Sequence, residues 1–103
     1  MMSDELFYNA WQNALKEDEI DIFLKKQEEK IAFYNDEIDK ELRAIHRIAH
    51  TDIKAIIKAS GLNRTTFAQR YGIPLNTVNK WCSGARKCND YIRLLLCKAN
   101  GFI

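Results

Sequence analysis

Residues 64–83 read RTTFAQRYGIPLNTVNKWCS, and their spacing predicts two short helices joined by a tight turn. Asn63 is placed to cap the first, which runs from Arg64 to Tyr71 and stops at Gly72. Ile73-Pro74 starts the second, which passes through Val78 and Trp81 to Gly84, with proline suited to a first turn. For the second helix to project outward, the pair must cross closely, at roughly 90–120°. Ala68 supplies the small residue at that crossing, and Gly72 tolerates the positive φ that the turn requires. Val78 and Trp81, three apart, form the expected inner face, with Phe67, Tyr71 and Ile73 completing the core. Asn76, Thr77, Asn79 and Lys80 are left outside, polar and able to hydrogen-bond.

Working outward, Thr51-Asp52 begins a helix that carries Ile53, Ile56 and Ile57 to a stop at Ser60-Gly61. Beyond Gly84, Asn89-Asp90 opens another, through Ile92, Leu95 and Leu96, closed near Asn100-Gly101. Residues 52–103 are thus expected to form a four-helix domain. From about Ile53 to Asn100 the chain resembles the phage-repressor-like, xenobiotic-response-element class of helix-turn-helix proteins. The residues carrying the resemblance are Gly61-Leu62, Phe67-Ala68, Gly72-Ile73, Val78, Trp81 and Gly84. Family members often have an arginine where Ile57 stands and a glutamate where Cys82 stands, paired inside the fold. Losing one partner of such a pair costs about 3–5 kcal/mol, whereas losing both can be nearly neutral. The double replacement is therefore compatible with the fold.

The resemblance implies sequence-specific binding of double-stranded DNA, with residues 75–80 in a major groove about 12 Å wide, whose base edges amides and basic groups read. Asn76 and Asn79 would meet adenine edges and Lys80 guanine. Thr77 would reach a phosphate or a thymine methyl, and Leu75 would add an apolar contact. Arg64 and Thr65, at the head of the preceding helix, would meet phosphates with the help of its dipole. Arg86 and Lys87 would hold the flanking backbone. The function implied is that of a transcriptional regulator.

Residues 1–51 read as a helical extension. Ser3 or Asp4 can cap a first helix with Phe7, Trp11, Ala14 and Leu15 on one face. After the charged junction Lys16-Glu17-Asp18-Glu19, Leu24, Ile31, Ile38 and Ile45 recur at intervals of seven. That spacing predicts one long amphipathic helix of about 30 residues, near 45–48 Å. Its stripe would either fold back on the first helix or pair with a second copy, and a homodimer through the N-terminal helices is the expectation.

Charge divides the chain in the same place. Residues 1–52 hold 13 acids against seven bases, and residues 53–103 hold one acid, Asp90, against nine bases. Such asymmetry fits a second half that meets a polyanion. It also supports a rival from another class, a protein-binding module such as an antitoxin or mobile-element adaptor. There the acidic helices would capture a basic partner, a toxin or a regulator.

At 47% hydrophobic and 29% charged, the chain can form a modest core and is not expected to be disordered. No apolar run approaches the roughly 18–20 residues of a membrane span, and the acidic N-terminus does not resemble a signal peptide. Cys82, Cys88 and Cys97 lack paired C-x-x-C spacing, so neither a disulfide framework nor a zinc site is expected. Cys82 and Cys97 read as core thiols and Cys88 as a loop thiol, in a cytoplasmic protein. His46 and His50, at i and i+4, have no third ligand in view and read as a solvated or dimer-seam pair. No nucleophile, base and orienting group assemble, so no enzyme, cofactor or metal is expected.

Overall fold

Among the described residues, five of the seven helices begin after a side chain that accepts a hydrogen bond from a first-turn amide: Ser3, Asn35, Asp52, Asn63 and Asn89. Each satisfies a donor that the helix geometry would otherwise leave free. The computed structural model describes residues 2–103. The helices are α1 (Asp4–Lys16), α2 (Ile20–Lys30), α3 (Asp36–Ala49), α4 (Ile53–Ser60), α5 (Arg64–Tyr71), α6 (Leu75–Ser83) and α7 (Asp90–Ala99). No strand occurs among the described residues, so the protein is all-α. The chain divides into two compact units, one running to His50 and including Ile103, the other spanning Thr51–Phe102.

In the first unit, α1, α2 and α3 pack on one another pairwise. Ala10, Trp11 and Ala14 of α1, Phe23 and Leu24 of α2, and Leu42, Ile45, Ile48 and Ala49 of α3 are buried. The single long helix expected over this region is replaced by two helices of 11 and 14 residues. Its heptad positions straddle the break: Leu24 and Ile45 are buried, while Ile31 and Ile38 are only half-buried. The break arises at Asn35, whose extended backbone (φ −146°, ψ −179°) lets its side chain accept from the amide of Ile38 at 2.9 Å. Asp36, Glu37 and Asp39 then load the first turn of α3 with negative charge, which its dipole favours. Behind the cap, the Tyr34 hydroxyl donates to Asp39, which also accepts from Arg43 at 2.7 Å. Burial and the neighbouring Asp39 carboxylate push the Tyr34 phenol up to about 12. The apolar seam of α3 is therefore covered by α1 and α2 of the same chain.

The two histidines differ: His46 is buried, whereas His50 is exposed. His46 is 8% exposed, and its Nε2 lies 2.8 Å from the carbonyl of Glu17. His50 Nε2 lies 2.7 Å from the carbonyl of Ala14 and 3.1 Å from that of Glu17. Carbonyls only accept, so both rings donate through Nε2–H and close the last turn of α1, where helix geometry leaves carbonyls without partners.

Gln27 of α2 is the unusual core residue. It is 4% exposed, and its Nε2 has no hydrogen-bond partner. A buried donor left unpaired costs about 1–3 kcal/mol. Gln27→Leu, which keeps the approximate volume and removes the donor, is expected to raise stability by about 1–2 kcal/mol in chemical denaturation. A loss of stability would show that the amide has a partner worth keeping.

In the second unit, α4 packs on α5, α6 and α7, and α5 packs on α6. Ile53, Ile56, Ile57, Phe67, Ala68, Val78, Cys82, Leu96 and Cys97 are buried. Ile57 and Cys82, the uncharged residues noted above, thus both lie inside this unit. The inner face of α6 differs from the expected pair: Val78 is joined by Cys82, and Trp81 is half-buried. A spacing of four matches the 3.6-residue period about as well as three, and the smaller side chain fits completely. Cys88 lies in the loop before α7 but is buried, and burial pushes its thiol up to about 11. The Cys97 thiol is also raised by burial. Arg93 is structural: it donates to the carbonyl of Thr51 at 2.6 Å and to Asp90 at 3.0 Å.

Candidate nucleic-acid interface

The surface of interest is built from the head of α5, the turn that follows α5, α6 and the loop after it. The turn is set by Gly72, at φ 65° and ψ 30°, a conformation that costs a residue with a Cβ roughly 1–2 kcal/mol. Its amide donates to Gln69, and the amide of Ile73 reaches back to Ala68 at 2.9 Å. These bonds satisfy the last carbonyls of α5 as the chain leaves it. Pro74 (φ −58°) then stands at the N-cap of α6, and its carbonyl accepts from Thr77 at 2.9 Å and Val78 at 3.2 Å. Proline loses nothing there, because an amide at that point would have no helical partner.

With Val78 and Cys82 inward, the other face of α6 is turned to solvent. Leu75, Asn76, Asn79 and Lys80 are exposed, and Thr77 is half-buried. Arg64 and Thr65 are exposed in the first turn of α5. Arg64 Nη1 donates to Asn79 Oδ1 at 3.2 Å, which links the head of α5 to the outer face of α6. The bond leaves both amide hydrogens of Asn79 and most of the guanidinium donors available.

The loop after α6 is also fixed. Gly84 ends the helix at φ 82°, and the amide of Arg86 folds back onto the carbonyl of Lys80 at 3.2 Å. The Ser83 hydroxyl donates to the same carbonyl at 3.2 Å and accepts from the amide of Ala85 at 3.4 Å. The backbones of Lys80 and Arg86 are thereby neighbours, and Arg86 and Lys87 are exposed beside them. Arg70 is exposed on α5. Among the described residues none of Arg64, Arg70, Lys80, Arg86 and Lys87 enters an ion pair, so their charge is uncompensated at short range.

All nine residues singled out from the sequence therefore lie on one run of chain, and eight of them are exposed. The Arg64–Asn79 bond has no sequence signal, since the partners are 15 residues apart and both read as ligand contacts. Among the described residues, no group of three or more His, Cys, Asp or Glu is placed to hold a metal ion. Among the described residues, no helix is long and apolar enough to cross a membrane. No protein-family model, curated protein or solved structure matches this chain.

Proposed function

We propose that the Thr51–Phe102 unit binds double-stranded DNA with sequence preference, as a transcriptional regulator of the repressor-like helix-turn-helix kind, with α6 in the major groove. The observation that carries the reading is the outer face of α6. Asn76, Asn79 and Lys80 stand exposed on it, Arg64 of α5 bonds to Asn79, and the exposed Arg86 and Lys87 follow in the loop whose backbone folds back onto Lys80. Side chains that can read base edges are thus joined by side chains that can hold phosphates. Cytoplasmic location follows from the same reading.

Salt titration of binding to random duplex DNA, followed by fluorescence anisotropy, tests it. A log–log slope of about −0.9 for each phosphate neutralised is expected, so affinity falls steeply as salt rises. No binding, or binding indifferent to salt, removes the proposal. Selection of bound duplexes from a random pool then returns the preferred sequence.

The regulator is proposed to act as a dimer, with two recognition helices about 34 Å apart on a two-fold site. The seam of α3 is buried within its own unit, so pairing of the N-terminal helices would use outward residues such as Leu6, Ile22 and Phe33. Light scattering at micromolar concentration is expected to give twice the chain mass, and a strict monomer removes the dimer.

The second reading, a protein-binding module, is favoured by the exposed acids of the first unit, among them Asp4, Glu5, Glu28, Glu29, Asp36 and Glu37. A basic protein partner, a toxin or a regulator, would dock there. The two readings are compatible, because they use different units.

A further inference from the structure

Arg64 reaches from the head of α5 to α6 and donates through Nη1 to Asn79 Oδ1 at 3.2 Å. The two helices pack on one another, and Asn63 caps the one on which Arg64 stands. No carboxylate competes for the guanidinium. The acids of the Thr51–Phe102 unit are Asp52 and Asp90. Asp52 accepts from the amide of Ala55 at 2.8 Å, and Asp90 accepts from Arg93 at 3.0 Å. Arginine has donors and no acceptor, so only the oxygen of the Asn79 amide can face it. The NH2 group of Asn79 is thereby turned away from Arg64.

That bond changes what Asn79 can read. A free asparagine pairs with adenine by donating to N7 while its oxygen accepts from the N6 amino group. Here the oxygen faces a cation, whose charge disfavours a second N–H beside it. What remains is a pair of amide hydrogens, and the next residue, Lys80, also has donors only. Guanine offers two adjacent acceptors in the major groove, N7 and O6, whereas adenine sets a donor beside N7. Asn76, exposed three residues earlier on α6, is not held in this way and keeps both its donor and its acceptor.

We infer that Arg64 is a positioning residue that sets base identity through Asn79: the held amide and Lys80 select guanine, while the unheld Asn76 selects adenine. The inference rests on the DNA-binding reading of this unit and adds to it the base that each amide takes. Asn79 thereby departs from the adenine contact expected of it from the sequence. Asn76 and Asn79 are about 4.5 Å apart along the helix axis, against roughly 3.4 Å per base step. The two bases therefore lie one or two steps apart.

The test is selection of duplexes from a random pool by the full chain, by Asn79→Ala and by Arg64→Ala, both at exposed positions. Competition among four duplexes that differ at one base pair follows. That base pair is the one at which Asn79→Ala loses its preference. The wild type is expected to favour guanine over adenine there by about fivefold or more. Arg64→Ala is expected to lose that margin and to move toward adenine, since the released oxygen can accept from N6. A base other than guanine favoured there by the wild type overturns the inference. So does an Arg64→Ala profile weakened alike on all four duplexes, because Arg64 would then hold only a phosphate. So does an Asn79→Ala profile that matches the wild type at every position. A wild type that binds no duplex, or all duplexes alike, removes the sequence-reading proposal itself and this inference with it.

Discussion

Ala68→Leu is expected to unfold the Thr51–Phe102 unit or to leave it only marginally folded. Ala68 is 2% exposed on α5, the helix that packs on both α4 and α6, and its carbonyl accepts from the amide of Ile73 in the turn. Three added carbons at a helix crossing must displace either the neighbouring helix or the turn. Overpacking of this kind costs about 1–3 kcal/mol and sometimes more. At roughly 0.05–0.15 kcal/mol per residue, a unit of this size has only a few kcal/mol to lose. Amide dispersion of α4 to α7 in heteronuclear NMR, together with the denaturation midpoint, measures the effect. Gln69→Leu, exposed on the same helix, is the control and is expected to stay within about 0.5 kcal/mol of the wild type. An unchanged midpoint for Ala68→Leu would mean that the α5–α6 crossing is not where the space is tight.

The positions of α4 to α7 were readable in the sequence because each is punctuated by local chemistry. Asp52, Asn63 and Asn89 accept from first-turn amides, and Gly61, Gly72 and Gly84 stop helices at positive φ. Such signals act within a few residues and need no knowledge of the tertiary fold. The first unit was read less well for the converse reason. An interval of seven in Leu24, Ile31, Ile38 and Ile45 has the same look whether the helix continues or breaks between them. The deciding signal, Asn35 followed by Asp36 and Glu37, is a cap like the others and lay inside the run. Burial of His46 was not readable at all. His46 is buried, and both it and the exposed His50 reach carbonyls at the end of α1 more than 25 residues earlier, so their role exists only once the helices have packed. On α6, size decided against Trp81 as the fully buried partner of Val78, a matter of neighbouring volume that periodicity does not encode.

At a preferred DNA site, Asn76→Ala and Lys80→Ala are each expected to cost about 1–3 kcal/mol, roughly 5- to 150-fold in affinity, and to relax sequence preference. Both side chains are exposed on the outward face of α6, away from Val78 and Cys82, so neither change should disturb the core. Arg86→Ala is expected to behave differently, because its side chain leaves the loop after α6 and is proposed to hold a phosphate and not a base edge. It should weaken all duplexes alike and make the salt slope shallower by about one unit. Arg64→Ala combines the two effects, since Arg64 can hold a phosphate and also donates to Asn79 Oδ1. Its loss frees the Asn79 amide to rotate, so general affinity and discrimination should both fall. Parallel binding curves on the selected sequence and on a scrambled duplex separate these outcomes. If Asn76→Ala, Lys80→Ala and Arg86→Ala lower both curves equally, α6 reads no bases and only the electrostatic part of the proposal survives. If the first two lower only the selected-sequence curve while Arg86→Ala lowers both, then discrimination resides on α6 and general affinity in the loop after Gly84.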